Sequence, residues 1–345
     1  MHTRHPSWAL VRLPLFFFGA WLMSAALPAI ADPAVPPLEL LFSPESRLFS
    51  AELSEINPAG RLIFKREKVY GKSKDVPEFV EIAATARALQ RATVGEHYIV
   101  GYTSLSYDKQ YPQGLTPSRK GYILISSSGL DPALFVDAPD LRRILQQAST
   151  EHGRESKKLR RLLLQTFAED APTLQRLAAG QLAIDTEMSS KLSEKEKLVL
   201  QQAALNEQIN PTTRSLLITA AADRPADFGP WAAEAINKVL EITPVGGYAD
   251  GAADSTGLIL LAFDEASDRK VQVPIQSLTR WLPGSQQLYL ERASRLLELL
   301  YPERRKSAFE VALRDSTPGS PAQRFLEGKL REFDQHDVET HAKDH

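Results

Sequence analysis

Ala133-Leu134-Phe135-Val136-Asp137-Ala138-Pro139-Asp140-Leu141 marks the point where the chain changes character. Upstream of Asp137, apolar residues occur in short runs separated by turn-forming clusters. Downstream they recur at helical spacing. Asp137 is a helix-capping residue type, and Pro139 suits a first turn, where the missing N–H would have had no partner in any case. The resulting fold class is α+β: a small antiparallel β-barrel or sandwich over 45–137, then an α-helical region over 138–335.

Moving outward toward the N-terminus, Glu45–Ile56 alternates in part, Asn57-Pro58-Ala59-Gly60 signals a turn, and Arg61–Tyr70 is the returning strand of a hairpin. Pro77–Ala83, Glu96–Tyr107, Gly121–Ser126 and Ala133–Asp137 supply four further strands. Six short strands with turns between them predict a barrel or sandwich. By strand count the region resembles an OB-like barrel. Residues 32–44, with Pro33, Pro36 and Pro37, are expected to be a linker.

In the other direction, Leu159, Leu162, Leu163 and Phe167 share one helical face. Ser193-Glu194-Lys195-Glu196 is a capping box, in which serine and glutamate each satisfy an orphan backbone amide. Ala232, Ala235, Ile236, Val239 and Leu240 make an amphipathic stripe, as do Tyr289, Ala293, Leu296, Leu297 and Leu300. The last helix turns Ala322, Phe325, Leu326, Leu330 and Phe333 inward. Leu258–Ala262 fits a buried helix or a strand equally well.

Three helix starts are alike: Pro172-Thr-Leu-Gln-Arg176-Leu177, Pro211-Thr-Thr-Arg214-Ser-Leu216 and Pro321-Ala-Gln-Arg324-Phe-Leu326. The first two prolines are 39 residues apart and the third lies 110 further on, not a clean multiple. The first spacing approaches the period of about 40–47 residues in HEAT and armadillo arrays. Over about 155–335 the chain resembles an irregular HEAT-like α-solenoid, which implies stacked antiparallel helices; an irregular helical bundle is the alternative.

Arg4 and Arg12 precede a mostly apolar run from Leu13 to Leu27, followed by Pro28-Ala29-Ile30-Ala31 and Asp32-Pro33. This order of charged, apolar and small residues predicts a signal peptide over 1–31, cut after Ala31, and a periplasmic or secreted product. No later apolar run is long enough to span a bilayer, so no stable membrane insertion is expected after cleavage. The chain has no cysteine, which excludes disulfides, thiolate metal sites, thiol catalysis and the acylated cysteine of a lipoprotein. Against 43 Asp+Glu the chain carries 41 Lys+Arg, two of them in the signal, so the mature net charge is −4. That balance argues against a nucleic-acid partner.

A search for chemistry leaves no catalytic, cofactor-binding or metal-ligating residue assigned. Gly246-Gly247 and Gly251 lack the spacing of a nucleotide-binding loop. Ser106-Tyr107-Asp108-Lys109 fits S-x-x-K, but the partner motifs of penicillin-recognising enzymes are missing. A Ser-His-Asp triad would have to draw on His97 or His152. Asp250 and Asp254 lack EF-hand spacing. Asp334, His336, Asp337, Glu339, His341, Asp344 and His345 are residue types that bind zinc, copper or nickel, but the segment 336–345 reads first as a disordered, solvated tail. Arg154, Lys157, Lys158, Arg160 and Arg161 form the strongest basic cluster, tempered by Glu151 and Glu155, and a solvated helix face is its plainer reading.

These features predict a non-catalytic scaffold of the envelope that docks a protein or peptide along its helices; Trp231 or Trp281 is a candidate anchor, but both read first as core residues. The alternative is a periplasmic hydrolase acting on peptide or glycan through carboxylates or His97.

Overall fold

The computed structural model describes residues 34–71, 75–105, 115, 118–127, 129–130, 132–150, 156–245, 255–284 and 286–343, with the backbone alone for 336–343. Helix α1 (Pro37–Leu41) precedes strands β1 (Arg47–Ile56), β2 (Arg61–Tyr70) and β3 (Phe79–Ala83). Helix α2 (Ala86–Arg91) then leads to β4 (His97–Ser104), β5 (Tyr122–Leu124) and β6 (Leu134–Val136). The hairpin β1–β2 turns at Asn57, whose side-chain oxygen accepts from Ala59 N at 3.0 Å and Arg61 N at 3.1 Å, with Gly60 in the left-handed region.

The sheet closes on itself in the order β1-β2-β3-β5-β4-β1, making a five-stranded barrel. Neighbours are antiparallel except β3 and β5, which pair in parallel at Ala83 and Ile123. One edge of β4 pairs with β1; its other edge serves β5 at Tyr102–Ser104 and β6 at Tyr98–Val100. Irregularities at Ser50/Ala51 and Leu53/Glu55 bend β1 between its two partners. Of the two candidate β architectures, the chain adopts the barrel.

Strand alternation divides the apolar side chains between two cores. Phe49, Leu53, Leu62, Phe64, Val80, Ile82, Tyr98, Val100 and Tyr102 fill the barrel, where Phe49 meets Phe64 and Tyr102 edge-on. Leu48, Ile99, Ile125 and Phe135 point the other way and pack with the helices. Burial, and then neighbouring Tyr122, push the Tyr102 hydroxyl up to about 12. The folded state thus favours the neutral phenol. Its contribution to stability is complete below the unfolded value of about 10 and is lost as pH rises from there through about 12. Tyrosinate absorbance during alkaline titration is expected to show a late component that is reduced in Tyr102→Phe; Tyr70, also raised by burial, remains in it.

The expected linker at 32–44 is corrected in part: Leu38 and Leu41 of α1 are fully buried in the core shared by barrel and helices. Proline at the first helical position starts this helix rather than breaking structure. Leu38 N donates to Gln181 Oε1 at 2.9 Å.

The helical region contains α3 (Pro139–Ala148), α4 (Lys157–Gln165), α5 (Pro172–Ile184), α6 (Thr186–Ser190), α7 (Glu194–Leu205), α8 (Pro211–Asp223), α9 (Pro225–Phe228), α10 (Ala232–Ile242), α11 (Thr256–Asp268), α12 (Ile275–Thr279), α13 (Gln287–Leu300), α14 (Arg305–Asp315) and α15 (Pro321–Lys343). Two series emerge from their contacts. Helices α4, α7, α10, α12 and α14 each touch the next in one layer; α5, α8, α11, α13 and α15 do so in a second. Each first-layer helix also packs on the second-layer helix that follows it.

The three similar proline starts open α5, α8 and α15, all second-layer helices. The irregular 110-residue interval holds two second-layer helices, α11 and α13, that start at Thr256 and Gln287 without proline. Leu258–Ala262 is helical, within α11. Arginines tie successive units by donating to helix-terminal carbonyls: Arg214 Nε to Ala204 O at 2.8 Å, Arg280 Nη2 to Thr243 O at 2.9 Å, and Arg224 to Ala183 O. The expectation of a disordered tail is also corrected, since the backbone of α15 continues helically to Lys343. Once a helix is nucleated, each added residue gains a backbone hydrogen bond, so it extends readily through polar sequence.

Candidate functional site

The first-layer groove lies between α4 and α7. Both helices begin with a capping serine: Ser156 Oγ accepts from Leu159 N at 3.1 Å, and Ser193 with Glu196 forms the capping box read in the sequence. Glu196 has a second task. Its Oε1 accepts from Arg160 Nε at 3.1 Å, so the first turns of the two helices are joined side by side. Burial pushes the Glu196 carboxyl up, but the hydrogen bonds from Ser193 and the bond and charge of Arg160 outweigh it, leaving a net value below the usual carboxylate range.

Beside this link runs a groove of about 660 Å³. Leu164, Phe167, Val199, Ala203 and Ile209 give it an apolar lining, Gln165, Gln202 and Asn206 stand toward the helix C-termini, and Lys157, Arg161 and Lys195 toward the N-termini. Replacing Glu196 with Ala removes its half of the capping box, the acceptor for Ser193 N, and the partner of buried Arg160. It is expected to cost about 2 kcal/mol, measured by urea unfolding. Because the carboxylate's folded value is depressed, the stabilisation it gives is present above its unfolded value and fades as pH falls through the folded one.

A second groove, of about 550 Å³, crosses α5, α8 and α11 in the other layer. Ala183, Leu216, Ala220, Leu258 and Leu261 line it, with Thr212, Ser215 and Thr219 along α8. Its carboxylate, Asp223, is held by Arg269 at 2.5 Å. A third recess, of about 440 Å³, lies on the barrel near Glu45, Thr103 and Ile123.

The basic cluster does not form a single patch. Arg160 is buried against Glu196, Lys157 and Arg161 line the first groove, and Lys158 lies with Arg143 and Gln147 between α3 and α4. Arg154 lies outside the described residues. His97 is half exposed on the barrel, its Nδ1 2.9 Å from Glu67 Oε1, and lines none of the three recesses. Each recess holds a single carboxylate: Glu196, Asp223 or Glu45.

Trp231 and Trp281 take the core positions that the sequence favoured for them. Both are buried, and their indole nitrogens donate to Phe228 O and Leu240 O at 2.7 and 3.0 Å. Ser106, Lys109, His152, Asp250 and Asp254 lie outside the described residues, as do the side chains of His336, His341 and the rest of that tail. Among the described residues, no three His, Asp or Glu side chains come together as metal ligands. No helix there is long and apolar enough to cross a membrane. Sequence reasoning missed Val199, Ala203 and Ile209 as groove residues; the capping box locates α7, but only the stacking of α4 against it creates the recess.

The class these observations define is an α+β protein with a closed five-stranded barrel followed by a helical region carrying open recesses. No protein-family model, curated protein or solved structure matches the chain.

Proposed function

We propose that this chain is an exported, non-catalytic scaffold of the bacterial envelope that binds a protein or peptide partner along its helical region. The observation that carries the reading is the pair of open, apolar-lined grooves, one in each helical layer. Stacked helix pairs present extended surfaces of this kind to partners. The two-layer contact order supports a HEAT-like array. The strand order, the parallel β3–β5 closure and the helix between β3 and β4 support an OB-type barrel. Export rests on the Arg4–Ala31 pattern.

Deleting the helical half is an unsuitable test, because Leu48, Ile99 and Phe135 of the barrel share a core with it. Photo-crosslinking residues are instead placed at Val199 and Leu216 of the full chain in living cells. Discrete adducts at these positions, and none at exposed Lys270 on the α11 terminus, are the expected result. Adducts at neither groove would remove the scaffold reading and favour the hydrolase alternative. N-terminal sequencing of the envelope form is expected to start at Asp32; a product retaining Met1 in the cytoplasm would overturn export.

A further inference from the structure

We propose that the α4–α7 groove takes an acidic amphipathic segment of a protein partner, with its carboxylates at the helix N-terminal end and its apolar side chains toward the other. This assignment rests on the scaffold reading and names the partner's chemistry. Charge complementarity carries it. Lys157, Arg161 and Lys195 are exposed, converge on one end of the groove, and have no ion-pair partner among the described residues. The single carboxylate in the lining, Glu196, is already neutralised by Arg160 and by two hydrogen bonds from Ser193. Glu194, at the same end, is taken by Lys197. Among the described residues, three cations are therefore available beside a lining that accepts apolar side chains: Leu164, Phe167, Val199, Ala203 and Ile209.

The Arg160–Glu196 bond places the starts of α4 and α7 together, so the positive ends of both helix dipoles lie on the cationic side. Beyond it the polar side chains are the neutral amides Gln165, Gln202 and Asn206. A basic segment would be repelled at one end and gain no counter-charge at the other. An acidic segment lacking apolar residues would leave the hydrophobic lining in water.

The test uses mature 32–345 and labelled amphipathic peptides of about four helical turns: one of Leu and Glu, one of Leu and Lys, and one of Gly and Glu. Fluorescence anisotropy is expected to show the Leu/Glu peptide binding at least about tenfold more tightly than the other two, with affinity falling as salt rises. The combined Lys157→Glu, Arg161→Glu and Lys195→Glu variant is expected to weaken it by about tenfold or more. The corresponding glutamine triple and the lining variant Val199→Asp should each weaken it too, and thermal unfolding establishes that every variant is folded.

Equal binding of the Leu/Lys peptide, or an unchanged affinity in the folded charge-reversed variant, would overturn the assignment. So would capture of the protein by anionic phospholipid vesicles through the same three cations with no binding of the Leu/Glu peptide. Adducts at Val199 or Leu216 together with failure of the acidic peptide would discard this inference and leave the scaffold reading standing; loss of both would discard both.

Discussion

Trp281→Ala lowers the stability of the folded chain by about 3–5 kcal/mol, the range for emptying a large aromatic site in a packed core. Trp281 is wholly inaccessible to solvent and stands edge-on to Phe263 at 5.5 Å and Tyr289 at 5.6 Å. Those rings belong to α11 and α13, while its indole nitrogen donates to Leu240 O of α10 at 3.0 Å. One side chain therefore links three successive parts of the array, and backbone collapse around its absence would have to move all three. Trp281→Phe keeps a ring and leaves Leu240 O with its bond from Arg280 Nη1 at 3.0 Å, so its cost is expected to be about half or less. Urea unfolding followed by far-UV circular dichroism measures both. A loss below about 1 kcal/mol for the alanine variant would mean that these helices do not share a rigid core.

Gly129→Ala is the second large effect, at about 2–4 kcal/mol, because strain and overlap combine. Gly129 has φ +89°, a region that a residue with a Cβ enters only at a cost. That Cβ would lie 2.8 Å from Pro37 Cγ and 2.9 Å from Gly180 Cα, so the barrel loop would have to lift from α5. Gly319→Ala separates the two causes, since Gly319 has φ +75° with nothing within 4 Å of its would-be Cβ. It should cost only about 1–2 kcal/mol. If the two variants lose equal stability in urea, the close approach of loop and helix contributes nothing. Hydrogen exchange in α1 should also rise in Gly129→Ala alone, since Pro37 packs on this contact.

Much of the architecture was legible in local sequence. The Asn57–Gly60 turn fixed the first hairpin because asparagine satisfies the turn amides and glycine accepts the left-handed conformation. The Ser193–Glu196 box and the prolines at 172, 211 and 321 placed helix starts for equally local reasons. Helix α1 was less legible. Three prolines within five residues look like a linker, and its helicity depends on Leu38 and Leu41 finding a core built by distant segments. The reading of both tryptophans as core residues holds, although which neighbours surround them was not visible in the sequence.

The groove was readable only in fragments. The apolar face with Phe167 and the basic cluster are both visible in the chain, but they look like a core face and a solvated one. Stacking α7 beside α4 leaves the space between them open, buries Arg160 against Glu196, and turns Lys157 and Arg161 to a common rim with Lys195.

By itself, the sequence determined the change from strands to helices near Pro139, the Asn57–Gly60 turn, the Ser193–Glu196 box and the absence of cysteine chemistry, because hydrogen-bond satisfaction at such turns and caps is decided within a few residues. Asp137 does not cap α3, whose N-cap is Ala138. Closure of the barrel through β3 and β5, the core it shares with the helices, and the sorting of Lys157, Lys158, Arg160 and Arg161 to different sides of α4 were decided by tertiary structure alone. Each depends on packing between segments far apart in the chain, and the geometry of that packing has no local signature.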